Sequence, residues 1–390
     1  MLKIAIVVSH PIQHFCPQYV SFARRGDIHL RVFFASALGS KAYEDPDFQQ
    51  VISWGNLRLN EFDHIFLNGE VILPADKHLD APGLDAALTT FTPDLVIMYG
   101  YFQKMQRRAY RWGRKHRVKL AYISDSERRQ TRSRLKEMIK YPLLRWYFSH
   151  ISYFLTVGDA NELFYKHYGV TSKRMIRMHF PIDLHTYKQV VGDKSNLRKK
   201  IREQYLIGEH ETVTAVVGKL VPWKNQDDII AAMQLLESQN VFLHLFIIGS
   251  GEMLTAWKEK AAVLKQSKVH FTGFVDIDSL PAYYAASDFY THPASVEPHS
   301  IAVSEAIYMG CPVIMSDRCG SYGKSDDVQE GINGFIYKFG DTNALAAAIS
   351  ILSSQEDRRT AMSHHSSRIG REFQERSHGT AIADLIKKVI

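Results

Sequence analysis

The sequence predicts an α/β protein made of two facing, doubly wound, Rossmann-like domains with a cleft between them. Three observations predict it. The chain has 390 residues, and at roughly 100–200 residues per domain this is enough for two. Short β-branched or aromatic runs that do not alternate recur in both halves, as parallel strands buried on both faces do. Helical stretches separate these runs, so each half reads as strand, helix, strand.

In the first half the strands are expected at Lys3–Ser9, His29–Ala35, Asp94–Tyr99, Lys119–Ser124 and Tyr153–Val157, with helices at Arg134–His150 and Asp159–Tyr168. Phe180-Pro181-Ile182-Asp183 reads as a turn. The strongly polar Asp193–Gln204 reads as a linker and the first helix of a second domain. Strands then follow at Thr212–Val217, Val241–Ile248, Val269–Thr272, Phe289–His292 and Val313–Ser316. Helices are expected at Asn225–Glu237, Gly251–Lys265, Ser279–Ala286, Ser300–Met309 and Thr342–Leu352. The boundaries expected are 1–190 and 191–371, with a helix over about 372–390 packing back on the first domain. Open α/β sheets bind ligands at the carboxyl ends of their strands, so function is sought in the loops after strands.

Composition is that of an ordinary globular protein, 45% apolar and 23% charged. Met1–Ser9 is too short for a membrane helix and runs into His10-Pro11 rather than a cleavage site. Cys16, Cys311 and Cys319 make no disulfide framework and no metal-ligand spacing. A reducing cytoplasm fits them. The net charge of +7 is uneven: Lys104–Arg145 holds 15 Lys/Arg against Asp125, Glu127 and Glu137. These cations interleave with Tyr110, Trp112, Tyr122 and Tyr141 and run on into Trp146-Tyr147-Phe148. Such a mixture over 104–148 suits an anionic membrane surface, here the inner face of the cell membrane; a solvated basic face on ordinary helices reads the same. No zinc-finger, helix-turn-helix or RNA-recognition spacing is found, so no nucleic-acid partner is expected. The first strand is followed by Ser9-His10-Pro11, not G-x-G-x-x-G, which argues against a dinucleotide dehydrogenase.

Two segments hold the chemistry. Pro293–Asp317 runs strand end, loop, helix, Gly turn, strand. Its Glu297 and Glu305 are eight apart, a little over two helical turns, so both can face one cleft. Ser300, Ile301 and Ala302 fall at the helix N-terminus, where free N–H groups and the macrodipole suit a phosphate. Taken alone, Glu305 also reads as a solvated helix residue and Glu297 as a helix-start acid. Val216–Asn225 follows a strand, turns at Gly218, and brings Lys219 and Lys224 into one loop. Two cations there neutralise a diphosphate, although a surface lysine pair reads the same in isolation. Asp317 and Asp326-Asp327 read as surface acids.

In order and with spacing preserved, VGKLVPWKN, FIIGSGEM, HFTGFVD and SVEPHSIAVSEAIYMGCPVI resemble the C-terminal domain of retaining glycosyltransferases of family 4, whose fold is called GT-B. The resemblance covers about residues 212–350. It implies transfer of a hexose from a nucleotide-diphosphate sugar to a sugar or lipid-linked acceptor, in cell-surface polysaccharide or glycolipid assembly. It assigns the donor diphosphate to Lys219, Lys224 and the Ser300–Ala302 backbone, the ribose to Glu305, and the sugar hydroxyls to Glu297. Gly249-Ser250-Gly251 and Phe274-Val275 fall near the nucleoside. No metal and no cofactor are implied, because cations and a helix end stabilise the leaving group. The first cation is commonly Arg; Lys219 keeps the charge but not bidentate geometry. The loop His10-Pro11-Ile12-Gln13-His14-Phe15 is similar to that of one branch of the family and departs from the usual Gly-Gly loop. His10, Gln13 and His14 therefore fall on the acceptor side, with Asp125 as the candidate for contacting the acceptor hydroxyl or the sugar. Asp125 also reads as a helix cap, and His10 or His14 as caps of local backbone. The rival readings are a nucleotide-sugar epimerase of the same fold and, more remotely, a nucleic-acid-binding protein.

Overall fold

The computed structural model describes residues 1–45, 48, 50–52, 54–55, 57–129 and 134–390, apart from the side chains of 134 and 136. The chain begins with β1 (Leu2–Val8) and β2 (Ile28–Phe34), followed by a small antiparallel hairpin of β3 (Tyr43–Asp45) and β4 (Gln50–Ile52). It continues through β5 (His64–Phe66), β6 (Leu95–Tyr99), β7 (Lys119–Ile123), β8 (Tyr153–Thr156) and β9 (Met175–Arg177). Seven of these form a parallel sheet in the order β5-β2-β1-β6-β7-β8-β9. The second sheet comprises β10 (Val213–Val217), β11 (His244–Ile248), β12 (Lys268–Gly273), β13 (Phe289–His292), β14 (Val313–Ser316) and β15 (Gly334–Tyr337). It is parallel, in the order β12-β11-β10-β13-β14-β15. This is the two-domain, doubly wound architecture expected from the sequence.

Both faces of both sheets are covered. On β1, Ile4, Ile6 and Val8 enter one core with Tyr19 and Val20, while Ala5 and Val7 enter another with Leu88 and Met98. On β10, Ala215 packs with Tyr284 and Val303, and Val216 with Ile229 and Leu345. A strand with two buried faces has no polar side to alternate with, which is why the pattern is a continuous apolar run. Strand order reverses between β1 and β6, and again between β10 and β13. Loops leaving neighbouring strands part there and open a crevice.

The chain ends by crossing between the sheets. Helix Glu356–Glu375 lies on helix Ile301–Tyr308 so closely that a Cβ on Gly370 would meet Tyr308 backbone at 2.7 Å. One π-helical turn, Arg376–Thr380, then redirects it. Its polar groups are satisfied across the crossing: Gln18 Nε2 donates to Ser377 O (2.9 Å) and Arg376 Nε to Arg177 O (2.6 Å). Helix Ala381–Val389 places Ala381, Ile382, Leu385 and Ile386 in the first core beside Ile4 and Ile6.

The differences from expectation are instructive. Edge strands β5, β9 and β15 and the hairpin have three or four residues each, too few to show a period. Strand β11 starts at His244 rather than Val241, and Phe242 is exposed. Helix Lys104–His116 is hidden by its cations, yet Met105, Ala109 and Trp112 are buried at helical spacing. Asp183 ends the expected turn by capping helix Leu184–Val191, accepting from Thr186 N–H (3.4 Å) and also from Thr186 Oγ1 (2.9 Å). Asp326 and Asp327 are not surface acids: they are 0% and 1% exposed. Buried carboxylates persist where they are hydrogen-bonded, and Asp326 accepts from Asp159 N–H (2.6 Å) while Asp327 accepts from Ser304 Oγ (2.7 Å).

Leu385 is fully buried in the first core. Leu385→Ala is expected to lower the unfolding free energy by about 2–5 kcal/mol, read as a shift of the urea midpoint. A change under ~0.5 kcal/mol would mean that the last helix contributes no packing to that core.

Candidate active site

The site is assembled from loops at the two switch points. β10 ends at Val217 and the chain turns at Gly218, whose N–H donates to Ile248 O (3.0 Å). Gly249, after β11, has φ +141°, and a Cβ there would lie 1.9 Å from Gly218 O. Only glycine allows that approach. The turn Pro222–Lys224 is tied to the loop after β13, because Trp223 O accepts from Ser295 N–H (2.9 Å) and Ser295 Oγ (3.0 Å). Two residues on, Glu297 pairs with Lys224. The backbone of Glu297 is held in turn, its carbonyl accepting from Gly320 N–H (2.9 Å).

The electrostatics separate the two carboxylates. Burial pushes the Glu297 carboxyl up, but the contact with His292 (3.5 Å) and the Lys224 ammonium outweigh it and hold the group down at about 2. Glu297 is therefore ionised. Glu305, 7% exposed inside helix Ile301–Tyr308, is pushed up to about 7 by burial, against the Tyr284 hydroxyl that donates to it at 3.0 Å. Neither acid behaves as a solvated surface residue. Buried His292, beside Glu297, escaped the sequence reading, because a histidine at a strand end resembles any core histidine.

The helix N-terminus differs in one detail. Ser300 N–H is already taken by Ser321 Oγ (2.8 Å). That leaves the amides of Ile301 and Ala302, the first two helical residues, without an intrahelical acceptor, and both residues line the cavity.

The cavity between the domains has a volume of about 520 Å³. From the second domain Gly218, Lys219, Lys224, Gly249 and Val275 line it, together with Glu297, Ser300, Ile301, Ala302 and Glu305. Gly251 instead packs against Leu220. From the first domain the loop after β1 contributes His10, Gln13 and His14. Burial lowers His10 to about 4, and burial with the His10 charge lowers His14 to about 3, so both rings are neutral. They offer hydrogen bonds rather than charge. Ser9 Oγ fixes His10 Nδ1 at 2.9 Å.

Asp125, on the loop after β7, stands off the cavity wall. Burial and the Glu297 charge raise its carboxyl, and His299 lowers it, so it is electrostatically part of the same site. The sequence reading missed the β3–β4 hairpin. It brings Asp45 to within 3.2 Å of Lys219 Nζ, and the Phe48 ring to 5.3 Å from Phe274 in a T-shaped contact. Among the described residues, one group brings three metal-type ligand atoms within 4.8 Å of one another: His299, Asp326 and Asp327. Its carboxylates already accept from Asp159 N–H and Ser304 Oγ.

Residues 198–368 match the family described as Glycosyl transferases group 1. Over 173 residues the chain is 31% identical to the GDP-mannose-dependent alpha-(1-6)-phosphatidylinositol monomannoside mannosyltransferase of Mycobacterium tuberculosis, covering 42% of this chain and 44% of that protein. The chain thus spans a little under half the length of this curated relative. The crystal structure of HepE of Anabaena in complex with UDP superposes with a TM-score of 0.70 at 16% identity, over 100% of both chains. Sucrose-phosphate synthase from Thermosynechococcus elongatus gives 0.70 at 15%, over 100% of this chain and 99% of that one. The chain has the GT-B fold.

A carboxylate accepts hydroxyl hydrogen bonds best when ionised, and Glu305 ionises above about 7. Nucleoside diphosphate affinity is therefore expected to fall roughly tenfold between pH 8 and pH 6, and Glu305→Gln to flatten this dependence, both by calorimetry. A wild-type affinity equal at pH 6 and pH 8 would remove Glu305 from the binding step.

Proposed function

We propose that the chain is a retaining, hexose-transferring glycosyltransferase that moves a sugar from a nucleoside diphosphate to a hydroxyl of a sugar or lipid-linked acceptor, in glycolipid or surface-polysaccharide assembly. One observation supports this most: two lysines, a helix N-terminus and two carboxylates of opposite protonation tendency converge on a single interdomain cavity. The match to the glycosyl transferase family over 198–368, the UDP complex of the HepE relative and the GDP-mannose dependence in the mycobacterial relative's name favour the same reading. An epimerase needs no acceptor side; the polar first-domain wall of His10, Gln13 and His14 favours transfer.

In this reading charge grows on the departing diphosphate. Lys219, Lys224 and the amides of Ile301 and Ala302 stabilise it as preorganised groups, which supports a reaction without metal or cofactor. Glu297 holds the sugar hydroxyls and Glu305 the ribose. The acceptor hydroxyl enters from the His10, Gln13, His14 and Asp125 side. The bond from the sugar to the diphosphate breaks, the acceptor oxygen forms the new one on the same face, and its proton passes to the diphosphate. Before the donor binds, Lys224 is held by Glu297 and Lys219 by Asp45, so loading exchanges ion pairs rather than creating naked charges. At about 1 mM, the matching nucleotide among UDP, GDP, ADP and TDP is expected to stabilise the protein by roughly 2.7 kcal/mol if it binds near 10 μM, and Lys224→Ala to lose the effect. A panel with no shift for any nucleotide would overturn the donor site.

The membrane part of the proposal rests on helix Arg134–Ser149. It exposes Leu135, Met138, Ile139, Leu143 and Trp146, spaced along one face and 51–72% exposed. Helix Lys104–His116 lies beside it, with Arg114 over the Trp146 ring at 5.3 Å. Residues 130–133 of the basic stretch, including Arg132, lie outside the described residues. Apolar side chains beside cations suit the interface of an anionic bilayer on the cytoplasmic side. No helix among the described residues is long and apolar enough to cross a membrane. Flotation with anionic vesicles at low salt is expected to retain the wild type and to lose the Ile139→Glu, Trp146→Glu double variant. Equal flotation of both, or none of the wild type, would remove the membrane surface.

A further inference from the structure

The loop between β14 and β15 buries two adjacent carboxylates that take different partners. Asp326 accepts from the N–H of Asp159, the first residue of helix Asp159–His167 in the first domain. Arg177 supports that contact, donating to Ser325 O (2.7 Å) and Asp159 (2.6 Å). Asp327 lies 3.1 Å from His299 Nε2. His299 stands two residues after Glu297, is 6% exposed and lines the cavity. Among the described residues neither ring nitrogen makes a hydrogen bond of good geometry, and Nε2 is fully buried beside the Asp327 carboxylate.

We propose, on the transferase reading above, that His299 is a further catalytic residue: an imidazolium fixed by Asp327 whose Nδ1–H donates to the departing diphosphate. The carboxylate on Nε2 fixes the ring's orientation and charge, as a base does for an oriented imidazole elsewhere. Burial disfavours the charge, but the Asp327 contact and the charges of Asp327, Asp326 and Asp125 outweigh it and raise the group. His179, the other ionisable neighbour, is lowered by burial and adds no charge. The bond from the sugar carbon to the diphosphate oxygen breaks with its electron pair on that oxygen. The acceptor oxygen bonds to the carbon, and the acceptor's proton goes to the diphosphate. His299 keeps its own proton throughout. Because Asp326 and Asp327 are consecutive, the docking of the first domain and the charging of His299 depend on one dipeptide.

His299→Gln is expected to lower kcat about 10²-fold with the donor KM within about threefold, the pattern of a donor used in the transition state. The wild-type rate should fall as pH rises through the His299 midpoint, above the ordinary 6.5, and Asp327→Asn should move that fall to lower pH. An NMR titration of the His299 ring proton, assigned by its loss in His299→Gln, reads the same midpoint with no donor present. A midpoint at or below 6.5, or His299→Gln turnover within twofold of wild type, overturns the proposal. So does a midpoint that shifts on adding Mn²⁺ or Zn²⁺ and returns with chelator, which would make the triad a metal site. Wild type inactive on every donor, with the midpoint raised, would instead overturn the transferase reading.

Discussion

The pairing of Lys224 with Glu297 is the contact around which the site is organised. It joins the loops after β10 and β13, the two strands between which the second sheet reverses its order. The pair is not an accident of two long side chains meeting. The Trp223–Ser295 hydrogen bonds fix the backbones, and the Gly320 N–H fixes Glu297 from the other side. Both groups are mostly out of solvent, at 18% and 17% side-chain exposure, so each needs the other: an unpaired charge there would be costly. On the proposed reading, a diphosphate beside Lys224 would offer the ammonium a second anion, with His292 remaining 3.5 Å from Glu297.

The junction between the domains follows the same rule at larger scale. Arg129 stacks on Tyr322 at 3.5 Å and donates to Tyr322 O (2.8 Å), while Arg177, Asp159 and Asp326 form a largely buried polar cluster in which Asp326 alone is fully buried. These contacts link the cleft walls through charge and hydrogen bonds. Polar junctions separate and reform more readily than hydrophobic ones. His14, Phe180 and His299 form an aromatic line with ring separations of 6.0 and 5.0 Å.

Much of this was legible in the sequence, and the reasons for the rest are physical. Buried strands such as Lys3–Ser9 announce themselves because both faces must be apolar. The loop cations and the Glu297–Glu305 spacing announce the cleft because strand ends put them there. Short edge strands and the β3–β4 hairpin are set by tertiary pairing and have no local signature. Asp326 and Asp327 look like surface acids because their partners, Asp159 and His299, are distant in sequence. Ser300 was expected to offer its N–H to a ligand, and only Ser321, twenty-one positions on, takes it away. Helix Lys104–His116 was read for its charge and not its buried face, since cations on the outer side of a helix mask the inner stripe.

The central claim is that the interdomain cavity is built for a diphosphate. It is tested most directly by calorimetry of matched nucleoside diphosphates and monophosphates, UDP with UMP and GDP with GMP, on the wild-type chain. On the proposed reading, two lysines and a helix N-terminus at the cavity predict that the diphosphate of one pair binds at least about 10²-fold tighter. Equal affinities for the two members of every pair would contradict the claim, because the cavity would then recognise a nucleoside and not its leaving group.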